Sequence, residues 1–176
     1  MRASLLEESQ SSESANTFQK RVVLERELGS LTQRLESVEA DNATAMERER
    51  MQTTAELYRL AGLLYLQRVC PTLGDELRRS HYMENAFAAL GSLQVATSPW
   101  PIFVIACESE EEEERIRIIQ VLDQMDTVRS IGNVYVMRYI IEMVWKQHDL
   151  RGDAKKGGQI KWWHFVDSDV AAPWFA

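Results

Sequence analysis

The 176-residue chain is 45% hydrophobic and 27% charged, a composition suited to one soluble globular domain with a sizeable core, and nothing in it argues for wholesale disorder. Its net charge of −7 is spread along its length, with 11 acidic and 7 basic residues up to position 56 and 16 and 13 after it, so no segment can bind nucleic acid by phosphate neutralisation alone. The first twenty residues hold no uninterrupted apolar run and no later run approaches bilayer length, which predicts an intracellular, soluble protein without a membrane span.

In chain order, EESQSSESAN (7–16) is polar and serine-rich and is expected to be disordered, with order beginning near Asn16. Leu24, Leu28, Leu31, Leu35 and Val38 then alternate in steps of four and three, which places an apolar seam along a helix. Two heptads favour a packed bundle helix over a dimerising zipper. Thr44 with Glu47 forms a capping box for a second helix that runs to Val69 and is ended by Pro71. Met51, Ala55, Tyr58, Leu64 and Tyr65 are its expected apolar face, and Ala61–Gly62 allows a neighbour to approach closely. A third helix fits Gly74 to Val95, with Leu77, Met83, Phe87, Leu90 and Leu93 as its apolar content.

IFVIAC alone suits a buried strand or a buried helix equally, but Ser98 and the prolines at 99 and 101 favour the first turn of a helix. Ser109 with Glu112 predicts another capping box, and the five glutamates from 110 to 114 then lie where negative charge meets the positive end of a helix dipole. Ile118, Ile119, Leu122 and Met125 continue that helix. The segment 131–149, apolar apart from Arg138, Glu142 and Lys146, is expected in the middle of a bundle. RGDAKKGGQ (151–159) reads as a loop and IKWWHFVDSDVAAPWFA as an aromatic tail. The fold class is therefore all-α, an irregular multi-helix bundle with a loop-rich aromatic C-terminal tail.

Chemistry is hard to find in these patterns. Gly152 and Gly157 have the glycine spacing of a phosphate loop, but Gly158 and Gln159 replace the lysine and hydroxyl that the loop needs. His81, His148 and His164 are scattered, Cys70 and Cys107 read as reduced core thiols, and no nucleophile motif is present, so no catalysis, metal or cofactor is expected. Glu108 and Arg115 are expected to pair with each other or with neighbouring helix ends.

WPIFVIACESEEEEER, followed by RSIGNVYVMRYIIEMVWKQHD and KWWHFV, resembles the C-terminal part of the fungal-specific transcription factor domain of zinc-cluster regulators. The residues that carry the likeness are Trp100, Pro101, Phe103, Cys107, Glu108, Arg115, Gly132, Asn133, Trp145 and Asp149, and AELYRLAGLLYLQRV is similar to the family's alanine- and leucine-rich helix. It covers residues 44–176, and 17–43 less fully. After the segment 1–16, whose composition predicts disorder, the resemblance implies a helical regulatory domain (17–176), nuclear and non-enzymatic; the apolar seam of Leu24 to Leu35 and the aromatic tail predict protein partners or self-association. Such regulators read DNA with six cysteines around two zinc ions, whereas this chain has two cysteines, so it resembles a truncated form without DNA binding. It further implies a small-molecule effector between helices, for which His81, Trp100, Cys107, Glu108 and Trp145 are the candidate lining residues, each also readable as a core or helix-end residue. The alternative is a stand-alone helical adaptor that dimerises through its N-terminal helix.

Overall fold

The computed structural model describes residues 16–31, 45–93, 98–128, 132–151 and 162, and among them it contains helices and no strand. We number these α1 (16–31), α2 (Ala45–Val69), α3 (Asp75–Ser92), α4 (Pro99–Glu108), α5 (Glu112–Val128) and α6 (Gly132–Arg151). The serine-rich segment before Asn16, Leu35, Val38, Thr44, the loop from 152 and the tail beyond Trp162 lie outside the described residues.

α4 is the centre. Pro99 opens it and Pro101 sits in its first turn, where absent N–H groups cost no hydrogen bond, and every residue from Pro101 to Glu108 is buried. A helix that is apolar on all sides has to be enclosed by others. α2 supplies Leu57, Leu60, Ala61 and Leu64, α3 supplies Met83, Ala86, Phe87 and Leu90, and all belong to one core cluster with Ile102 to Cys107. α5 adds Ile118, Leu122 and Met125 at steps of four and three, while α6 adds Val134, Met137, Ile140, Ile141, Val144 and Trp145. The segment expected at the middle is thus one layer further out, since α6 leaves Tyr135, Tyr139 and Leu150 exposed.

Two other apolar faces turn out differently from their pattern. On α2 the buried stripe runs through Leu57, Leu60 and Leu64, and Met51, Tyr58 and Tyr65 face outward. α1 is inverted. Its buried residue is Arg21, whereas Phe18, Val22, Val23, Leu24 and Leu31 are exposed and only Leu28 turns inward, over Gly62 of α2.

An ion pair explains this docking. Arg21 Nη1 and Nη2 donate to both carboxylate oxygens of Asp75, at 2.9 and 2.6 Å, and Nη1 also donates to the Cys70 carbonyl. Asp75 is the first residue of α3 and accepts from the Thr72 amide at 2.7 Å and the Thr72 hydroxyl at 3.0 Å, which fixes the turn between α2 and α3. Gly74 completes that turn with φ +85°, a conformation glycine adopts without the Cβ penalty of other residues. Arg78 joins Asp75 at 2.8 Å and Glu25 of α1 at 2.7 Å, extending the clasp to the surface.

Candidate functional site: the polar junction at the end of α4

The last carbonyls of a helix have no partner within it, and at a buried end they must find one elsewhere. Around the end of α4, the four successive carbonyls from Ala106 to Ser109 each meet a side chain of a different helix. The Ala106 carbonyl accepts the indole N–H of Trp145 in α6 at 2.8 Å as well as the Ser109 amide at 3.2 Å. Arg68 of α2 donates to the Cys107 carbonyl at 3.3 Å, Arg79 of α3 to the Glu108 carbonyl at 3.0 Å, and Arg115 of α5 to the Ser109 carbonyl at 3.4 Å. Three cations around a helix C-terminus also complement its dipole.

The Glu108 side chain sits inside this ring. Arg68 donates through Nε to one of its oxygens, Arg79 lies 2.9 Å from the other, and the Arg68 and Glu108 side chains are each only 2% exposed. One carboxylate therefore ties α2 and α3 to the end of α4. Arg115 forms no ion pair with Glu108. Its Nη1 lies 2.8 Å from Asp149 of α6, and its guanidinium carbon sits 5.5 Å from the centre of the Trp145 ring. Of the two pairings expected for Arg115, the helix end is the one formed.

Ser109 acts in the opposite direction from its expected role. Its buried hydroxyl donates back to the Ile105 carbonyl at 3.0 Å and so completes α4 instead of capping α5. At the start of α5, Glu114 accepts the Glu110 amide at 3.2 Å, so part of the glutamate run closes its own helix end.

Electrostatics argue against reactivity at this junction. Burial pushes the Cys107 thiol well above its ordinary range, with Arg68 acting more weakly in the other direction, so it stays protonated and a poor nucleophile. Burial lowers the pKa of His148, which directly precedes Asp149 and follows Trp145 by three residues; Glu110 opposes this, and Arg68, Arg79 and Arg115 reinforce it. Its Nε2 is buried without a hydrogen-bond partner, which suits the neutral ring. Among the described residues no three His, Cys, Asp or Glu side chains are grouped to hold a metal ion.

The five candidate effector residues separate accordingly. Cys107, Glu108 and Trp145 meet at this junction. Trp100 stands at the opposite end of α4, roughly 12 Å away along the helix axis. His81 is exposed on α3, where its Nε2 lies 3.0 Å from the Asn85 amide. Arg68 and Arg79 were missed from sequence, although a signal exists: Leu57, Ala61 and Leu64 continue to Arg68, and Leu90, Ala86 and Met83 run back to Arg79, so each arginine prolongs a buried stripe.

Fold and junction together define an all-α domain whose buried polar groups join helices to one another. The chain belongs to the fungal specific transcription factor domain family, whose sequence profile matches residues 2–175, and this is a family of transcription-factor domains and not of enzymes. It is also similar to the transcription factor iacI of Pestalotiopsis fici, at 34% identity over 99 residues, covering 54% of this chain and 25% of that protein. The match thus spans about a quarter of the relative's length. No solved structure matches. No helix among the described residues is long and apolar enough to cross a membrane.

Proposed function

We propose that this chain is the regulatory and protein-interaction region of a fungal transcription regulator, acts in the nucleus, and does not itself read DNA. The observation that carries this reading is the family match over residues 2–175 in a chain with only two cysteines, a number that cannot build a six-thiolate zinc cluster. DNA reading then falls to a separate module or to a partner. An effector is a narrower part of the proposal: Cys107, Glu108 and Trp145 are occupied within the junction, so a small molecule reaches them only by parting the end of α4 from its neighbours.

The test is to fuse the chain to an unrelated DNA-binding domain in a fungal reporter strain and, in parallel, to run the chain alone in gel shifts against random duplex pools at low salt. Altered reporter output with no retained duplex is expected. A selected DNA sequence would sink the proposal, as would a fusion that is stably expressed and without effect. A second reading, a helical adaptor that pairs through α1, is favoured by the apolar outer face of that helix.

A further inference from the structure

Met51, Tyr58 and Tyr65 follow one another at seven-residue intervals on α2 and so lie in line, over roughly 20 Å of helix. They are 57%, 45% and 36% exposed. Trp100, half-buried at the start of α4, bridges the two tyrosines: it stacks on Tyr58 with centroids 5.9 Å apart and planes 15° apart, and meets Tyr65 edge-on at 6.3 Å. The next ring is Trp162, from beyond α6. It is buried, 6.4 Å from Tyr65 and perpendicular to Phe103 at 4.9 Å.

The strip therefore begins at a seated residue of the C-terminal segment and runs out along α2 with its rings half open. We propose that this strip is the docking surface of the chain's own residues 163–176, with Trp162 as the first seated residue of a strap that continues over Tyr65, Trp100 and Tyr58. Those residues are WHFVDSDVAAPWFA, in which Trp163, Phe165, Trp174 and Phe175 offer large rings for an aromatic surface. Extended at about 3.3 Å per residue, they reach roughly twice the length of the strip.

Tethering selects this occupant over a second copy. A segment joined directly to a seated residue has an effective concentration in about the millimolar range, whereas a free copy competes at its bulk concentration. Aromatic pairs in offset or edge-to-face geometry add attraction beyond the area they bury. Seated there, the strap occupies the α2 face and withholds it from outside partners.

The test uses the full chain with Tyr58→p-benzoylphenylalanine, irradiated at low micromolar concentration and mapped by mass spectrometry. Crosslinks within one chain to residues 163–176 are expected. Crosslinks to a second copy, crosslinks only elsewhere in the chain, or none at all overturn the proposal. A second measurement leaves the strip untouched: in the full chain carrying Phe165→Ser, Trp174→Ser and Phe175→Ser, oxidative footprinting should label Tyr58 and Tyr65 severalfold faster, with helical content unchanged. Equal labelling rates in the two chains also overturn it.

Discussion

Glu108 shows at the scale of one residue how a polar group becomes structural once it is enclosed. Its carboxylate is only 2% exposed and neutralises Arg68 and Arg79, so removing it takes the Glu108 charge away from a guanidinium that is itself buried. Glu108→Ala should therefore lower stability by about 3–5 kcal/mol in chemical denaturation. The double variant Arg68→Met/Glu108→Leu should cost much less, because Arg79 is 19% exposed and retains Glu110 at 3.1 Å; a double variant as unstable as the single one would place the energy in packing instead. Trp145 is distinct, since it combines a buried ring with a hydrogen bond. Trp145→Ala should cost about 3–5 kcal/mol, and Trp145→Phe less, because it keeps most of the ring while removing the donor to the Ala106 carbonyl, itself worth about 1 kcal/mol. Equal losses for the two substitutions would show that the hydrogen bond, and not the volume, dominates.

At the scale of the element, α1 is attached by charge where its sequence pattern suggests attachment by leucines. Burial alone would raise the Asp75 carboxyl, but hydrogen bonds from Arg21 and from Thr72 outweigh it and hold the carboxyl below its ordinary range. A carboxyl depressed in the folded state adds stability that is complete above the unfolded value, about 3.9, and is lost as pH falls through the lower folded value. Asp75→Asn should thus destabilise the protein near neutrality and make its stability fall less steeply below about pH 4 than in the unaltered chain. Parallel denaturation midpoints for the two proteins across that range would show that Asp75 is not the titrating group. Loss of the clasp should also free α1 first, seen as faster amide exchange in residues 16–31 than in α4.

For the whole molecule, the consequence of that clasp is an outer face on α1 carrying Phe18, Val22, Val23 and Leu24 in water. Apolar surface of this kind recruits partners or promotes self-association. Sedimentation should show association that increases with concentration in the unaltered chain and is reduced by Val22→Glu/Leu24→Glu, two substitutions that leave Arg21 and Leu28 in place. A monodisperse monomer at high concentration would remove the support for pairing through α1. The regulator proposal does not depend on this outcome, since it rests on the family match.

Much of the fold was legible in the chain itself, because helix ends and apolar spacing are local properties. Pro71, the paired prolines before IFVIAC and the stripe of Ile118, Leu122 and Met125 mark their elements whatever surrounds them. The resemblance pointed to Cys107, Glu108, Arg115, Trp145 and Asp149 by order and spacing. What those positions share became visible only in three dimensions: Cys107 and Glu108 end one short helix, Trp145 and Arg115 donate to the carbonyls beside that end, and Asp149 holds Arg115. Which face of a helix turns inward is likewise a tertiary decision. Tyr58 and Tyr65 have the same period as Leu57 and Leu64, displaced by one residue, and only the place left beside α4 chose between them. Arg68 and Arg21 went inside for the same reason: each met a carboxylate there, supplied from 40 and 54 residues away, and no local pattern records a partner at that distance.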